Sequence, residues 1–347
     1  MNPADPVRFA LIGAGGIAQA HAQALDASPH CELVAVVDTD PHAAQTLADR
    51  SGAAAYTDHR RMLAGVGCDA AIVCTPPVSH PELCLDLFAA GRHVLCEKPL
   101  AIDAASARRM LQAAEAAGVV FTMASKFRYV ADIHRARALA EQGLIGEVLM
   151  FENHFTYPID MRARWNADPA VSGGGVLIDN GTHSVDIIHY YLGPLTELQV
   201  IENKRFQDLP VEDTVTLIVR NEAGVVGRID LSWSLNLERR GFVNVIGSEG
   251  VIVVGWQGSA WYRHSDGQWT RFGNGYDKHG AFLAQLENFV GAIRGEQALR
   301  ITPDDALASV EVIERAYRAL RHRRWEPVRY RRYHDLRPLR QGQPQVA

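Results

Sequence analysis

Short apolar runs alternate with Ala-rich segments of helical period through the first third of this chain. The apolar runs cover residues 7–12, 31–38, 70–73, 93–96 and 119–123, and the helical segments cover 17–26, 41–51, 81–90 and 103–117. This alternation predicts a parallel sheet, because each strand must return to the same edge through a crossover helix. The helices would then cover both faces of the strands.

A glycine-rich turn follows the first of these runs directly. It contains Gly13, Gly15, Gly16, Ile17 and Ala18 in a GxGxxA pattern that leads into a helix. Missing side chains let the backbone approach a pyrophosphate, and the start of the helix attracts its negative charge. A tight turn without a ligand is the alternative, but the strand before it and the helix after it favour a dinucleotide site.

Further candidate cofactor residues follow the apolar runs at the same predicted edge. Asp38 stands about 20 residues past the turn, where a carboxylate accepts hydrogen bonds from a ribose diol. It favours NAD over NADP, because a 2'-phosphate would place like charges together there and the neighbouring Thr39 is not an arginine. Asp38 could instead cap the next helix. We also expect Thr75 and Pro76 to contact ribose or nicotinamide, and His80 either to assist them or to serve the structure alone.

The sequence pattern changes after about residue 125. Strand-like runs at 148–155, 211–220, 225–235, 242–246 and 251–254 follow one another through Gly-containing turns, which indicates a mostly antiparallel sheet. Helices are predicted at 176–192, 280–293 and 303–320, with Thr302 capping the last. We therefore predict an α/β chain with an N-terminal Rossmann domain over residues 1–125, an α+β domain over 126–325 and a basic tail over 326–347.

One lysine and an acid–histidine pair are candidates for chemistry. Glu97 and Lys98 close the run that begins at residue 93, so we expect both at the carboxyl edge of the sheet, in contact with the cofactor. There the lysine can also donate to a substrate oxygen. Asp179 and His183 are four residues apart on one predicted helix face, where histidine can take a hydroxyl proton. A surface lysine and a helix-surface pair are the alternatives. A metal pair is the less favoured reading, since no third ligand stands at a recognisable spacing.

These motifs together resemble the glucose-fructose oxidoreductase and inositol dehydrogenase family (Gfo/Idh/MocA), over nearly the whole length to about residue 325. The matching features are the turn at Gly13, the Glu97-Lys98-Pro99 sequence, and the Gly173-Gly174-Gly175 loop followed by Asp179, Gly181 and His183. The resemblance implies NAD(P)-dependent hydride transfer at a secondary alcohol of a sugar, polyol or sugar derivative. It also implies that Lys98, Asp179 and His183 are the catalytic set, and that a large open sheet in the second domain joins subunits into a homodimer or homotetramer.

The chain departs from many relatives where they carry Asn-x-Arg and it carries Lys126-Phe127-Arg128. Lys126 and Arg128 form a cationic pair that could bind a carboxylate or phosphate on the substrate. The substrate candidates that precede the glycine loop are Tyr157, Arg164 and Trp165.

Two other functions fit the same motifs. A hydrolase or lyase that retains NAD and oxidises a glycoside transiently would form product without net NADH. A non-catalytic dinucleotide-binding regulator would need no catalytic set, so the presence of Lys98, Asp179 and His183 argues against it.

Size and composition limit the classes of partner that the chain can have. A chain of 347 residues favours two domains, and its formal net charge of -5 gives no general field for nucleic acid. The Arg-rich tail could be a nucleic-acid arm, although a solvated or subunit-embracing segment is favoured. Five cysteines without a Cys-x-x-Cys pair indicate a reducing, cytoplasmic compartment, and no run approaches the roughly 20 apolar residues of a membrane span.

Overall fold

A six-stranded parallel sheet forms the first half of the computed structural model, which describes residues 5–329. The strand order is β3-β2-β1-β4-β5-β6, the arrangement of a Rossmann fold. The strands are β1 (Val7–Ile12), β2 (Cys31–Val37), β3 (Ala54–Tyr56), β4 (Ala70–Val73), β5 (His93–Glu97) and β6 (Phe121–Ala124). The helices between them are α1 (Gly16–Ala27), α2 (Pro41–Ser51), α3 (His59–Gly65), α4 (His80–Ala89) and α5 (Ala104–Ala117).

The predicted apolar runs are the central strands of this sheet. Residues of β1 and β4 are almost completely buried, as strands covered on both faces must be. Asp103 caps α5, accepting from the backbone N of Ser106 at 2.7 Å. The sequence analysis missed β3 and α3. β3 is a three-residue edge strand whose side chains are only partly buried, so it lacks an apolar run.

A nine-stranded sheet forms the core of the second half. Its order is β14-β13-β12-β11-β7-β10-β9-β8-β15, and every neighbouring pair is antiparallel except β7 and β10. The strands are β7 (Val148–Thr156), β8 (Leu195–Glu202), β9 (Thr214–Asn221), β10 (Val226–Ser232), β11 (Val243–Gly247), β12 (Gly250–Val254), β13 (Ser259–Arg263), β14 (Trp269–Gly273) and β15 (Glu326–Pro327). The helices are α6 (Ala131–Glu141), α7 (Pro169–Ser172), α8 (Val176–Leu192), α9 (Lys278–Ile293) and α10 (Pro303–His322). The predicted fold class, a Rossmann domain followed by a mostly antiparallel α+β domain, is confirmed.

Helices pack on one face of the second sheet and also tie it to the first. The buried helix α8 packs against β7, β9 and β10, and α10 packs against both α8 and α5. Thr302 caps α10, and Asp305 completes a capping box with it. α9 packs against α1, so the C-terminal half of the chain returns to the first domain.

The other face of the nine-stranded sheet carries exposed apolar side chains. Ile201 on β8 and Trp269 on β14 share this face by register and are 52% and 40% exposed. The five cysteines are unpaired thiols. Over residues 5–329 no helix is both long and apolar enough to cross a bilayer. Most of the basic tail, residues 330–347, lies outside the described part of the chain.

Candidate active site

The glycine turn after β1 forms an open cradle at the start of α1. Gly13 has a φ of 100°, and a Cβ there would stand 2.9 Å from the carbonyl carbon of Cys74, so only glycine fits this close approach to β4. A Cβ on Gly15 or Gly16 would meet no atom within 4 Å. Among the described residues no side chain caps α1, so its first amides can bind an anion. The cradle therefore fits a dinucleotide pyrophosphate.

Asp38 stands beside this cradle at the end of β2. Its Oδ2 accepts from the backbone N of Ala14 at 2.7 Å, and its Oδ1 accepts from the backbone N of Asp40 at 2.9 Å. The alternative role of capping α2 belongs instead to Asp40, whose carboxylate accepts from the amides of His42 and Ala43. Asp38 is thus held against the glycine turn by its backbone contacts, where a ribose diol would lie.

A cleft of about 1090 Å³ opens between the carboxyl edge of the first sheet and the second domain. Residues of both halves of the chain line it. The candidate residues in its wall are Ile17, Thr75, Glu97, Lys98, Lys126, Tyr157, Arg164, Trp165, Asp179 and His183. The structure therefore brings the proposed catalytic set, part of the cofactor set and most of the substrate set to one place.

Lys98 and Asp179 meet across this cleft. Lys98 follows β5 directly, and its Nζ lies 2.6 Å from Oδ1 of Asp179 and 3.2 Å from the backbone O of the same residue. The two side chains are 16% and 22% exposed, so the pair is partly screened but still open to the cleft. The contact holds the lysine in a fixed direction at the cleft wall.

His183 lies one helical turn beyond Asp179 on α8. Its ring packs edge-on against Phe127 at a centroid distance of 4.9 Å, and its Nδ1 is buried with no hydrogen-bond partner among the described residues. Burial and the nearby positive charges of Lys98 and Lys126 hold the pKa of His183 well below its usual value. The imidazole is therefore neutral at neutral pH and able to accept a proton.

The glycine loop before α8 is required by close packing. A Cβ on Gly175 would overlap the backbone of Glu212, and one on Gly174 would overlap the hydroxyl of Tyr317. The Oε1 of Glu212 accepts from the amides of Gly175 and Leu177 at 3.0 and 3.1 Å, which satisfies the first turn of α8. Sequence reasoning missed Glu212, because its partners lie more than 30 residues away.

Glu97 holds the backbone segment that carries Lys98. Its Oε1 lies 2.9 Å from Nε2 of His21 on α1, and its Oε2 accepts from the backbone N of Lys98. Burial would raise the pKa of Glu97, but the His21 hydrogen bond and the charges of Lys98 and Lys126 lower it further than burial raises it. The ionised carboxylate therefore fixes the segment that carries Lys98.

Several candidate residues lie outside the cleft wall. The backbone O of Pro76 accepts a hydrogen bond from the Ser79 hydroxyl at 2.8 Å in the turn before α4. Ala18 belongs to α1 and is fully buried, where a small side chain permits close packing of the helix on the sheet.

His80 does not reach the cofactor cleft, contrary to its place among the cofactor candidates. It is fully buried, with Nε2 2.8 Å from the backbone O of Thr75 and Nδ1 3.0 Å from that of Pro99. Burial lowers the pKa of His80. Its ring joins the Thr75 loop to the segment after Lys98, which is a structural role.

Arg128, which the sequence analysis proposed as a substrate contact, does not line the cleft. Its side chain is 5% exposed and points away from the cleft toward Asp186 on α8, with Nη2 2.5 Å from Oδ1. Asp305 adds a second carboxylate at 3.6 Å. Burial opposes its charge, but Asp186 keeps the pKa of Arg128 above its ordinary value. Arg128 pairs with Asp186 and not with a substrate, because burying a guanidinium without a counter-charge would be strongly destabilising.

An aromatic wall that the sequence did not reveal faces the catalytic candidates. Phe127 stacks on Tyr276 and contacts Phe155, and Trp256 lies against Phe242 at 4.5 Å between ring centroids. Trp256 remains 48% exposed and lines the cleft. These rings lie far apart in the sequence, so no local pattern could have grouped them. Over residues 5–329 no group of three or more His, Cys, Asp or Glu could hold a metal ion.

Comparison with known proteins matches both halves of the chain. Residues 7–125 match the Gfo/Idh/MocA oxidoreductase family, described as an NAD-binding Rossmann fold, and residues 133–253 match the Gfo/Idh/MocA C-terminal domain. This chain belongs to the Gfo/Idh/MocA family. The predicted family and the NAD-binding domain are thereby confirmed.

Individual Gfo/Idh/MocA relatives are 25% to 30% identical to this chain over the aligned residues. Inositol 2-dehydrogenase from Rhizobium meliloti (strain 1021) is 27% identical over 92% of this chain and 98% of its own length. D-glucoside 3-dehydrogenase from Escherichia coli (strain K12) is 30% identical over 70% of this chain and 74% of its own. The crystal structure of GenD2 from gentamicin A biosynthesis in complex with NAD has a TM-score of 0.83 and 29% identity, over 95% of this chain and 98% of that one.

Proposed function

We propose that this chain is an NAD-dependent dehydrogenase that transfers a hydride between nicotinamide and a secondary alcohol of a sugar or polyol. The observation that carries the proposal is the 2.6 Å contact between Lys98 Nζ and Asp179 Oδ1, in one cleft with His183 and next to the cofactor cradle. Alcohol oxidation needs such a set, because the hydroxyl proton must leave as the hydride does. Relatives named as inositol and D-glucoside dehydrogenases support this class of substrate.

The glycine turn, Asp38 and Thr75 would hold the dinucleotide. When bound, the nicotinamide supplies a hydride acceptor, which no protein side chain can provide. Asp38 supports a preference for NAD, since its carboxylate would repel a 2'-phosphate and offers oxygens to a ribose diol. NADP is the less favoured cofactor.

Lys98 and Asp179 would orient the reacting alcohol. The ammonium group has three protons, of which Asp179 accepts two, through Oδ1 and its backbone O, so the third can donate to a substrate oxygen. Negative charge that develops on this oxygen would be stabilised by the lysine. Asp179 would hold the lysine in place and accept from a neighbouring hydroxyl.

His183 would take the hydroxyl proton. Since burial and two lysines hold its pKa low, the ring is neutral before the reaction and gives up an acquired proton readily. This behaviour suits a reaction that runs in both directions. The aromatic wall of Phe127, Phe155 and Trp256 would contact the C–H faces of a sugar ring, and Tyr157, Arg164 and Trp165 on the rim would contact its substituents.

The partly exposed face of the nine-stranded sheet supports a homodimer or homotetramer. A second copy of the chain would cover apolar side chains such as Ile201 and Trp269, which stand 52% and 40% exposed. Sedimentation analysis tests the assembly, and charged substitutions at both positions should shift it toward monomer. The unpaired thiols, four of them buried, support a reducing, cytoplasmic compartment.

The test is NADH formation across neutral sugars, inositols, sugar acids and sugar phosphates, with NAD and NADP run in parallel. We expect reduction of NAD by at least one class of secondary alcohol and weaker reduction of NADP. Product formed without net NADH would replace the dehydrogenase with a hydrolase or lyase that retains NAD. Tight NAD binding without any turnover would indicate a non-catalytic dinucleotide-binding regulator.

A further inference from the structure

Lys126 is a second lysine in the cleft and differs from Lys98 in having no counter-ion. It follows β6 and opens a short 3-10 turn, and its Nζ lies 5.5 Å from the ring centroid of Phe127 and 5.6 Å from that of Phe282. Within residues 5–329 no carboxylate lies at ion-pairing distance from this Nζ and no hydrogen bond is made to it. The ammonium group therefore rests between aromatic rings on the cleft wall.

The acids nearest Lys126 are already engaged. Glu97 is held by His21 and by the amide of Lys98, and Asp179 is held by the Lys98 ammonium. Burial lowers the pKa of Lys126 to about 8, with Lys98 and Lys278 lowering it and Glu97 and Asp179 opposing them. A partly buried ammonium without a counter-charge is unfavourable, and an anion entering the cleft would relieve this.

The cleft as a whole carries an excess of positive charge. Its lining holds two more cationic than anionic side chains, apart from histidine. The cations are Lys98, Lys126, Arg164, Arg239 and Arg240, and the anions are Glu97, Asp179 and Glu238. A cleft with one predominant sign of charge concentrates ligands of the opposite sign.

We propose that Lys126 binds an anionic group, a carboxylate or a phosphate, on the substrate, so that the enzyme selects sugar acids or sugar phosphates over neutral sugars. This inference rests on the proposed dehydrogenase function. The cofactor phosphates are the competing ligand, but their cradle is at Gly15 and Gly16, whereas the charges around Lys126 are those of the reaction centre. The charge of Lys126 also lowers the pKa of His183.

The first test compares matched substrates on matched variants. D-glucuronate and D-glucose 6-phosphate are compared with D-glucose, using wild type, Lys126→Met, Lys126→Arg and Lys278→Met. Lys278 is the control, since its charge acts on Lys126 from α9 but it does not line the cleft. Loss of a charge-assisted hydrogen bond predicts a roughly ten- to hundredfold fall in kcat/KM for the anionic substrate in Lys126→Met. Neutral D-glucose should change far less, and Lys126→Arg should restore most of the preference.

The second test measures binding without turnover. Calorimetry of the same three compounds with the enzyme–NADH complex gives their Kd, and titration of NADH into each variant gives the cofactor Kd. We expect one of the two anions to bind wild type more tightly than D-glucose, which also identifies carboxylate or phosphate as the preferred group. This binding should weaken above about pH 8 as Lys126 loses its proton.

Three results would overturn the proposal. The anions could bind no better than D-glucose, the preference could survive in a folded Lys126→Met, or this variant could lose NADH affinity while its substrate preference stays. The last result would assign Lys126 to the cofactor. Failure of the dehydrogenase function itself differs from all three, because the anions would still bind at Lys126 while NAD is not reduced.

Discussion

The ammonium group of Lys98, which follows the fifth strand of the first domain, lies 2.6 Å from the carboxylate of Asp179 on a helix of the second domain. The two residues are 81 positions apart in sequence, and their contact closes one side of the cleft. His183 lies one turn further along the same helix. The proposed chemistry therefore depends on how the two domains face each other.

Lys98→Ala should lower kcat by roughly 10²- to 10³-fold, the usual effect of losing one donor to a developing oxyanion. The Kd for NAD should change little, because the cradle is built by the turn after β1. Steady-state kinetics and NADH titration measure both, with the exposed Lys204→Ala as control. Unaltered turnover would remove Lys98 from the mechanism.

The pH profile should report His183. Its pKa is held low by burial and by two lysines, so kcat/KM for a neutral alcohol should be flat through neutral pH and fall only in acid, as the ring becomes protonated. Removing the Lys126 charge by Lys126→Met takes away one cause of the depression, so the acid limb should move to higher pH. A limb that stays in place would mean that another group is the base.

Asp38→Asn should weaken discrimination against NADP. The amide retains one acceptor oxygen for the Ala14 amide but loses the charge that repels a 2'-phosphate. We expect the ratio of kcat/KM for NAD to that for NADP to fall by about tenfold, from a loss of about 1.4 kcal/mol of repulsion. Asp40→Asn, at the cap of α2, is the control and should leave this ratio unchanged. An unchanged ratio in Asp38→Asn would show that cofactor choice lies elsewhere.

Two glycine substitutions should separate binding from folding. Gly16→Ala adds a methyl group to open space, so thermal stability should hold while the Kd for NAD rises. Gly175→Ala places its methyl group on the backbone of Glu212 and should destabilise the fold by about 1–3 kcal/mol. Thermal unfolding and NADH titration of both variants check this contrast. Equal stability losses in the two variants would contradict it.

Arg128→Met should act on stability, because Arg128 pairs with Asp186 inside the protein. Breaking a buried ion pair by removing one partner costs about 3–5 kcal/mol. The double variant Arg128→Met, Asp186→Leu removes both charges and should be more stable than the single one. Denaturant unfolding measures this, and the KM of folded protein should stay near that of wild type. A large rise in KM without any loss of stability would indicate that Arg128 contacts the substrate after all.

The sequence allowed most of the elements and many of the candidate site residues to be predicted. The strands 7–12 and 70–73 and the helices 41–51 and 176–192 were predicted with the bounds that the structure has, since apolar period and flanking glycine, proline or aspartate are local signals. Strands β7 and β9 to β12 of the second sheet could be found for the same reason, whereas β8, β13, β14 and β15 were missed. Helix α6 was missed, because its charged sequence has no clear apolar stripe.

The sequence alone determined the glycine turn, the residue types at the edge of the first sheet, and the spacing that puts Asp179 and His183 on one helix face. All of these depend on residues close together along the chain. Only the tertiary structure decided that Arg128 turns to Asp186, that His80 is enclosed by backbone oxygens, and that Glu212 supports α8. It also decided that Lys126 pairs with no carboxylate in the part of the chain that the structure describes. Each of these outcomes depends on which distant charge or carbonyl packing brings within a few ångströms, and a burial cost of several kcal/mol then forces polar groups to pair where a partner is available.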